Sequence, residues 1–107
     1  MTHREQYIVS LIRNRILRKN PNAEVILFGS HARGDATADS DWDILILLKD
    51  TIVDLNIEKE YRNELFEVEL ETGEPISTFV FLKKDWEAKH SVTPLYQNIK
   101  NDGILLS

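Results

Sequence analysis

The run Ile44-Leu45-Ile46-Leu47-Leu48 constrains the fold more than any other part of the chain. Five consecutive apolar residues are far too few to span a bilayer. They also fail to alternate with polar residues, as a strand with one wet face would, because successive side chains point to opposite faces. This strand must therefore be covered on both faces and lie inside a sheet. In a chain of 107 residues, helices must do the covering. The expected class is α/β: a short mixed central sheet flanked by helices, in two or three layers, built as a single domain over residues 1–107.

The remaining elements follow from periodicity and punctuation. Thr2 with Glu5 three residues later has the form of a capping box. Tyr7, Ile8, Leu11, Ile12 and Ile16 then recur at helical spacing, and Asn20-Pro21 ends that helix. Glu24 to Phe28 is a short apolar run closed by Gly29, which predicts a buried strand. The central strand is expected over Asp41–Leu48. Residues 54–72 predict a helix with Ile57, Tyr61, Leu65 and Val68 on one face, ended by Gly73 and Pro75. Ile76 to Leu82 is β-branched and aromatic, hence a third strand. Lys84 to His90 has the character of a helix. Thr93-Pro94 begins a last helix that runs to about Asp102, with Gly103 as its C-terminal cap. Ile104-Leu105-Leu106 is a small apolar end with three readings: pairing with a strand, packing on the core, or meeting a partner.

Charge and composition exclude several functions. There are no cysteines, so disulfide scaffolds, Cys-based zinc sites and thiol nucleophiles are ruled out. The net charge of −5 does not favour general nucleic-acid binding. The first 20 residues carry scattered charges rather than an apolar core, so neither a signal peptide nor a membrane span is expected, and a cytoplasmic protein is. Those residues hold five basic side chains, Arg4, Arg13, Arg15, Arg18 and Lys19, against the single acid Glu5. The result is a basic helix face available either to solvent or to an acidic partner.

The chemistry concentrates in Phe28-Gly29-Ser30-His31-Ala32-Arg33-Gly34 and Ser40-Asp41-Trp42-Asp43-Ile44. A glycine directly after a buried strand allows a tight turn and close approach to a ligand. Ser30 would then open a short helix, where free N–H groups and a hydroxyl suit a phosphate. Asp41 and Asp43, at i and i+2, point to one face with α-carbons roughly 6.5–7 Å apart. Two carboxylates so placed repel unless a cation lies between them. Oxygen-only ligands favour magnesium or manganese over zinc. Magnesium is commonly held by one or two carboxylates plus substrate phosphates, so the turn and the acid pair support each other.

Gly-Ser followed about ten residues later by Ser-Asp-x-Asp is similar to the signature of the DNA polymerase β-like nucleotidyltransferase superfamily. The fuller Gly-Ser-x-Ala-Arg-Gly form resembles its minimal nucleotidyltransferase branch. The resemblance implies transfer of a nucleoside monophosphate, most simply AMP from ATP, to an acceptor hydroxyl with release of pyrophosphate. It implies that Gly29 and Ser30, with Arg33 and Ser40, hold the nucleotide, and that Asp41 and Asp43 ligate Mg2+. Arg33 has a second reading, a loop-bracing ion pair with Asp35 or Asp39. The family places a third carboxylate on the next central strand, and the alignment puts Ser77 there. Glu67, Glu69 and Glu71 fall on the preceding helix and have no place in the site. Small members of this branch resemble the antitoxin half of a pair with a helical HEPN-type ribonuclease toxin. The implied partner is such a protein, which would also present the acceptor, since the elements legible here leave no second domain to do so.

The rival reading is a weakly active or inactive module of the same fold that works by binding its partner. Antibiotic or tRNA nucleotidyl transfer is a weaker option, because those enzymes use added domains. His3, His31 and His90 have no companion ligands and are expected to be polar surface residues. Trp42 must point away from the face that carries the two aspartates, so packing is its expected role. Tyr7, Tyr61, Trp86 and Tyr96 are expected in core faces.

Overall fold

A computed structural model describes all 107 residues. The elements are α1 (His3–Lys19), β1 (Glu24–Phe28), α2 (Ser30–Arg33), β2 (Trp42–Leu48), α3 (Leu55–Thr72), β3 (Ile76–Leu82), α4 (Lys83–Lys89), α5 (Pro94–Asp102) and β4 (Ile104–Leu105). The four strands form one mixed sheet in the order β3-β2-β1-β4. β2 is antiparallel to β1 and parallel to β3, and β4 adds antiparallel to the other side of β1. β2 starts at Trp42 rather than Asp41, whose side chain stands exposed just before the strand.

Local signals set the helix ends. The Thr2–Glu5 capping box is complete, with Thr2 Oγ1 accepting from Glu5 N–H at 3.1 Å and Glu5 Oε1 accepting from Thr2 N–H at 3.0 Å. Asp54 and Thr93 cap α3 and α5 in the same way, through the N–H groups of Ile57 and Tyr96. Gly103 is not the left-handed cap expected of it, for its φ is −65°. Space explains it instead: a Cβ there would lie 2.4 Å from the Ile99 carbonyl oxygen, where the chain turns from α5 directly into β4.

The sheet is covered on both faces, as the unbroken apolar run requires. On one face α1 (Ile8, Ile12, Ile16) and α3 (Tyr61, Leu65, Val68) pack over Val25, Leu27, Trp42, Ile44, Ile46 and Leu48. On the other, Trp86 of α4 and Ile99 of α5 pack over Phe28, Leu45 and Leu47. The architecture is thus three layers, and alternation along β2 sends Trp42 to the first face and Asp43 to the second.

Three expectations are corrected here. Tyr7 is half exposed, its hydroxyl 3.4 Å from Glu71, because it lies beside the buried stripe of α1 rather than on it. His31 and His90 are not surface residues. The His90 ring packs on Phe81 and Trp86 at centroid distances of 4.7 and 5.7 Å, and His31 is treated below. The basic face of α1 is largely consumed within the chain: Arg15 pairs with Glu64 at 3.0 Å, Arg4 with Glu74 at 3.6 Å and Lys19 with Glu60 at 3.8 Å. Arg13 and Arg18 remain as its outward cations.

Ile104 and Leu105 pair with Leu27 and Ile26 of β1, and Leu106 packs against the core. No helix is long and apolar enough to cross a membrane.

Candidate nucleotide and metal site

The candidate residues come together at one end of the sheet, where β1 ends and β2 begins. The chain leaves β1 at Phe28, turns at Gly29 with φ +75°, and enters α2. Antiparallel pairing sets Phe28 opposite Asp43. The next residue along, Gly29, is therefore pressed against the Asp43 side chain. A Cβ at Gly29 would lie 2.2 Å from Asp43 Oδ2 and 3.1 Å from its Cγ. Positive φ demands glycine, and the contact places the turn directly against Asp43.

The parallel pairing of β2 with β3 brings a third group. Ser77 is in register with Asp43, and its Oγ donates to Asp41 Oδ2 at 3.1 Å. Glu69, on α3, accepts from the Ile76 N–H at 2.6 Å and so caps the start of β3 instead of reaching the aspartates. Asp41, Asp43 and the Ser77 hydroxyl form an oxygen-only set. No cluster of three or more His, Cys, Asp and Glu side chains exists that could hold a metal ion by itself. Two carboxylates and a hydroxyl suit a hard cation that takes its remaining oxygens from elsewhere, such as the phosphates of a nucleotide. The donor set fits Mg2+ brought with a triphosphate.

A cleft of about 290 Å³ opens beside this set. Phe28, Gly29, Ser30, Arg33 and Asp43 line it from the sheet end, and Leu95, Asn98 and Asp102 line it from α5. The α5 residues escaped the sequence reading. Their spacing of three and four places them on one helix face, but nothing in that periodicity tells which end of the sheet the face meets. Arg33 borders the cleft and makes the loop-bracing pair with Asp35, at 3.4 Å, rather than with Asp39. The Ser40 hydroxyl is engaged inside its own loop, accepting from the Thr37 N–H at 2.9 Å.

Partial burial raises the Asp43 carboxyl above its ordinary value of 3.8, and the neighbouring Asp41 charge adds to the rise, while His31 and Arg33 oppose it. Folding thus holds a proton on Asp43 more tightly than the unfolded chain does. The contribution of Asp43 to stability should be full below pH 3.8 and be lost as the pH rises through the raised value. Asp43→Asn removes that loss. Its melting temperature should exceed the wild type's near neutrality, and the gain should vanish on acidification. Thermal melts between about pH 3 and pH 7 test this; parallel curves for the two proteins would contradict it.

Known proteins resemble the chain in the same terms. A crystal structure of a toxin-antitoxin with AMP-PNP superposes with a TM-score of 0.62 at 23% identity, over 96% of this chain and 72% of that one. A toxin-antitoxin MntA-HpeT variant with two Asp-to-Glu changes gives a TM-score of 0.58 at 20% identity, over 96% of this chain and 72% of that one. A Tyr-to-Ala variant of MntA-HpeT gives 0.58 at 25% identity, over 89% and 71%. No curated protein matches. Residues 9–106 match the family model of the nucleotidyltransferase domain. With its turn, acid pair and cleft on that span, the chain belongs to the nucleotidyltransferase domain family.

Proposed function

We propose that the 107 residues form one minimal nucleotidyltransferase domain that uses Mg2+ and ATP to transfer AMP to a hydroxyl on a partner protein. The observation that carries this reading is the contact of the Gly29 turn with Asp43, which puts the turn and a carboxylate side by side. In this reading Gly29 and Ser30 receive the phosphates and Arg33 balances their charge from the cleft rim. Asp41 and Asp43 hold the ion, which when bound withdraws charge from the phosphates and orients them. The acceptor oxygen bonds to the α-phosphorus as the bridging oxygen to pyrophosphate leaves, and the hydroxyl proton is released. Phe28 and Leu95 offer apolar surface in the same cleft.

Ligand binding to the folded state alone raises its stability by about 2.7 kcal/mol at a hundredfold excess over Kd, or roughly 10 °C for a chain of this size. Magnesium with ATP should give a shift of that order in a thermal melt. Asp41→Ala combined with Asp43→Ala should abolish it, and an undiminished shift in that double variant would sink the assignment.

Ser77 supports the second reading, a weakly active module. It offers a neutral hydroxyl where the resemblance implies a carboxylate, and so supplies less charge to a cation than a carboxylate would. Ser77→Asp should raise single-turnover transfer on the order of tenfold or more with little change in ATP affinity. Transfer unchanged by Ser77→Asp but lost in Ser77→Ala would show that the serine itself serves the reaction.

The partner in this proposal is a HEPN-type toxin. The similar structures are toxin-antitoxin structures, and Asp41 is exposed, which leaves an acceptor open access. Two of the similar chains carry variants of one such pair, and the Asp-to-Glu pair lies two positions apart, the spacing of Asp41 and Asp43. Co-expression with the adjacent gene product should yield a complex by size exclusion. A chain that stays monomeric and transfers AMP efficiently to a small molecule would remove the partner from the proposal.

A further inference from the structure

His31 sits directly behind the candidate site. The four-residue helix α2 straddles the end of the sheet. Ser30 and Arg33 face the cleft beside Asp43 on one side. On the other, the His31 ring lies flat on Trp42, with centroids 3.8 Å apart and planes 9° from parallel. Trp42 is the residue between Asp41 and Asp43 and points to the opposite face of β2. A ring on α2 therefore grips the strand at the residue between the two carboxylates.

The ring also makes a directed contact. His31 Nε2 lies 3.3 Å from the Ser40 carbonyl oxygen, the carbonyl that joins Ser40 to Asp41. A carbonyl oxygen only accepts, so Nε2 carries the hydrogen. The other nitrogen, Nδ1, is buried with no hydrogen-bond partner and stands 4.0 Å from Glu5 Oε2 of α1. The side chain as a whole is 10% exposed. A phenylalanine or leucine would fill this slot without burying an unpartnered nitrogen, which is a cost in a protein interior. The polar ring is explained by what Nε2 does.

Resting on the nucleotide reading above, we propose that His31 is a positioning residue. It fixes the peptide that leads into Asp41 relative to the Gly29–Ser30 turn through the bond from Nε2 to the Ser40 carbonyl, with the ring seated on Trp42. The β1–β2 ladder ends at the Phe28–Asp43 pair, so without it the peptide leading into Asp41 enters the strand from a mostly exposed loop, residues 34–39, with Ser77 as the side-chain partner of Asp41. Phosphoryl transfer depends on holding such groups in fixed relation.

Three variants separate positioning from packing. His31→Phe keeps a flat ring on Trp42 and loses the donor. His31→Gln loses the ring and keeps an N–H that reaches the Ser40 carbonyl. His31→Ala loses both. His31→Phe should melt close to wild type yet bind magnesium and ATP about five- to tenfold more weakly, the loss expected for one directed hydrogen bond. His31→Gln should recover most of that affinity, and His31→Ala should be the weakest. Wild-type affinity in His31→Phe, or equal loss in His31→Phe and His31→Gln, overturns the proposal.

A second measurement is independent of any ligand. Hydrogen exchange across residues 34–41, read by mass spectrometry, should quicken in His31→Phe and not in His31→Gln, while exchange in α1 and β2 stays unchanged. Loop exchange unaltered in His31→Phe overturns the positioning role whatever the nucleotide does. A wild-type protein that binds no magnesium and ATP, but shows this exchange pattern, would refute the nucleotide reading and leave the positioning role standing.

Discussion

Everything in this structure depends on β2 being buried on both faces. Ile44 to Leu48 are each between 0 and 3% exposed. Such side chains contribute about 1.5–3 kcal/mol apiece when removed from water, so the strand has no tolerance for a shift in register. A one-residue slip would exchange its two faces and send Trp42 and Asp43 each into the other's surroundings. The position of the candidate site is therefore set by the core. Asp43 enters the second face, at the end of the strand, because Leu45 and Leu47 are held there.

The same alternation divides labour around the sheet end. Residues of one parity bring Asp43, Phe28 and Ser77 together on the α5 side. Residues of the other parity bring Trp42 and Leu27 under α1 and α3. α2 lies across the boundary, and its four residues meet both sides in turn. The cleft can be polar and open because the opposite face, against α1, is dry and closely packed. Desolvation of Asp43 is a cost that crosses from the site into the fold.

The elements built on strong periodicity were legible in the residues: the capping box at Thr2, the stripe Ile8-Ile12-Ile16, the stop at Gly73 and the unbroken strand. The pairing of the Gly29 turn with Asp41 and Asp43 was legible too, because sequence spacing along two adjacent strands translates directly into proximity. What stayed hidden depends on tertiary docking. Tyr7 shares the helical repeat of α1, but the repeat does not fix the width of its buried stripe. Gly103 looked like a helix cap because glycine serves two purposes, and only the 2.4 Å approach to the Ile99 carbonyl tells which one applies. His31 offered no ligand cluster to argue from. Its importance lies in the face it shares with Trp42, and that follows from the geometry of a four-residue helix, too short to show any period. The basic face of α1 was real in sequence, but the acids that meet it are distant along the chain, in the case of Arg15 at Glu64, 49 residues on.

Ser77 shows how one position can balance fold against ligand. Asp41 and Asp43 already oppose each other in the absence of a cation, and that repulsion contributes to the raised Asp43 carboxyl. A third carboxylate at position 77, in register with Asp43 and within 3.1 Å of Asp41, would strengthen the repulsion in a partly buried setting, where screening is weak. The serine hydroxyl adds no charge and donates a hydrogen bond to Asp41 instead. The cost falls on cation affinity, which rises with the number of charged ligands. On the proposed nucleotide reading, a site with two carboxylates and one hydroxyl would rely on the phosphates of an incoming nucleotide to complete the coordination of an ion. Metal and nucleotide would then bind as a unit, each weakly alone.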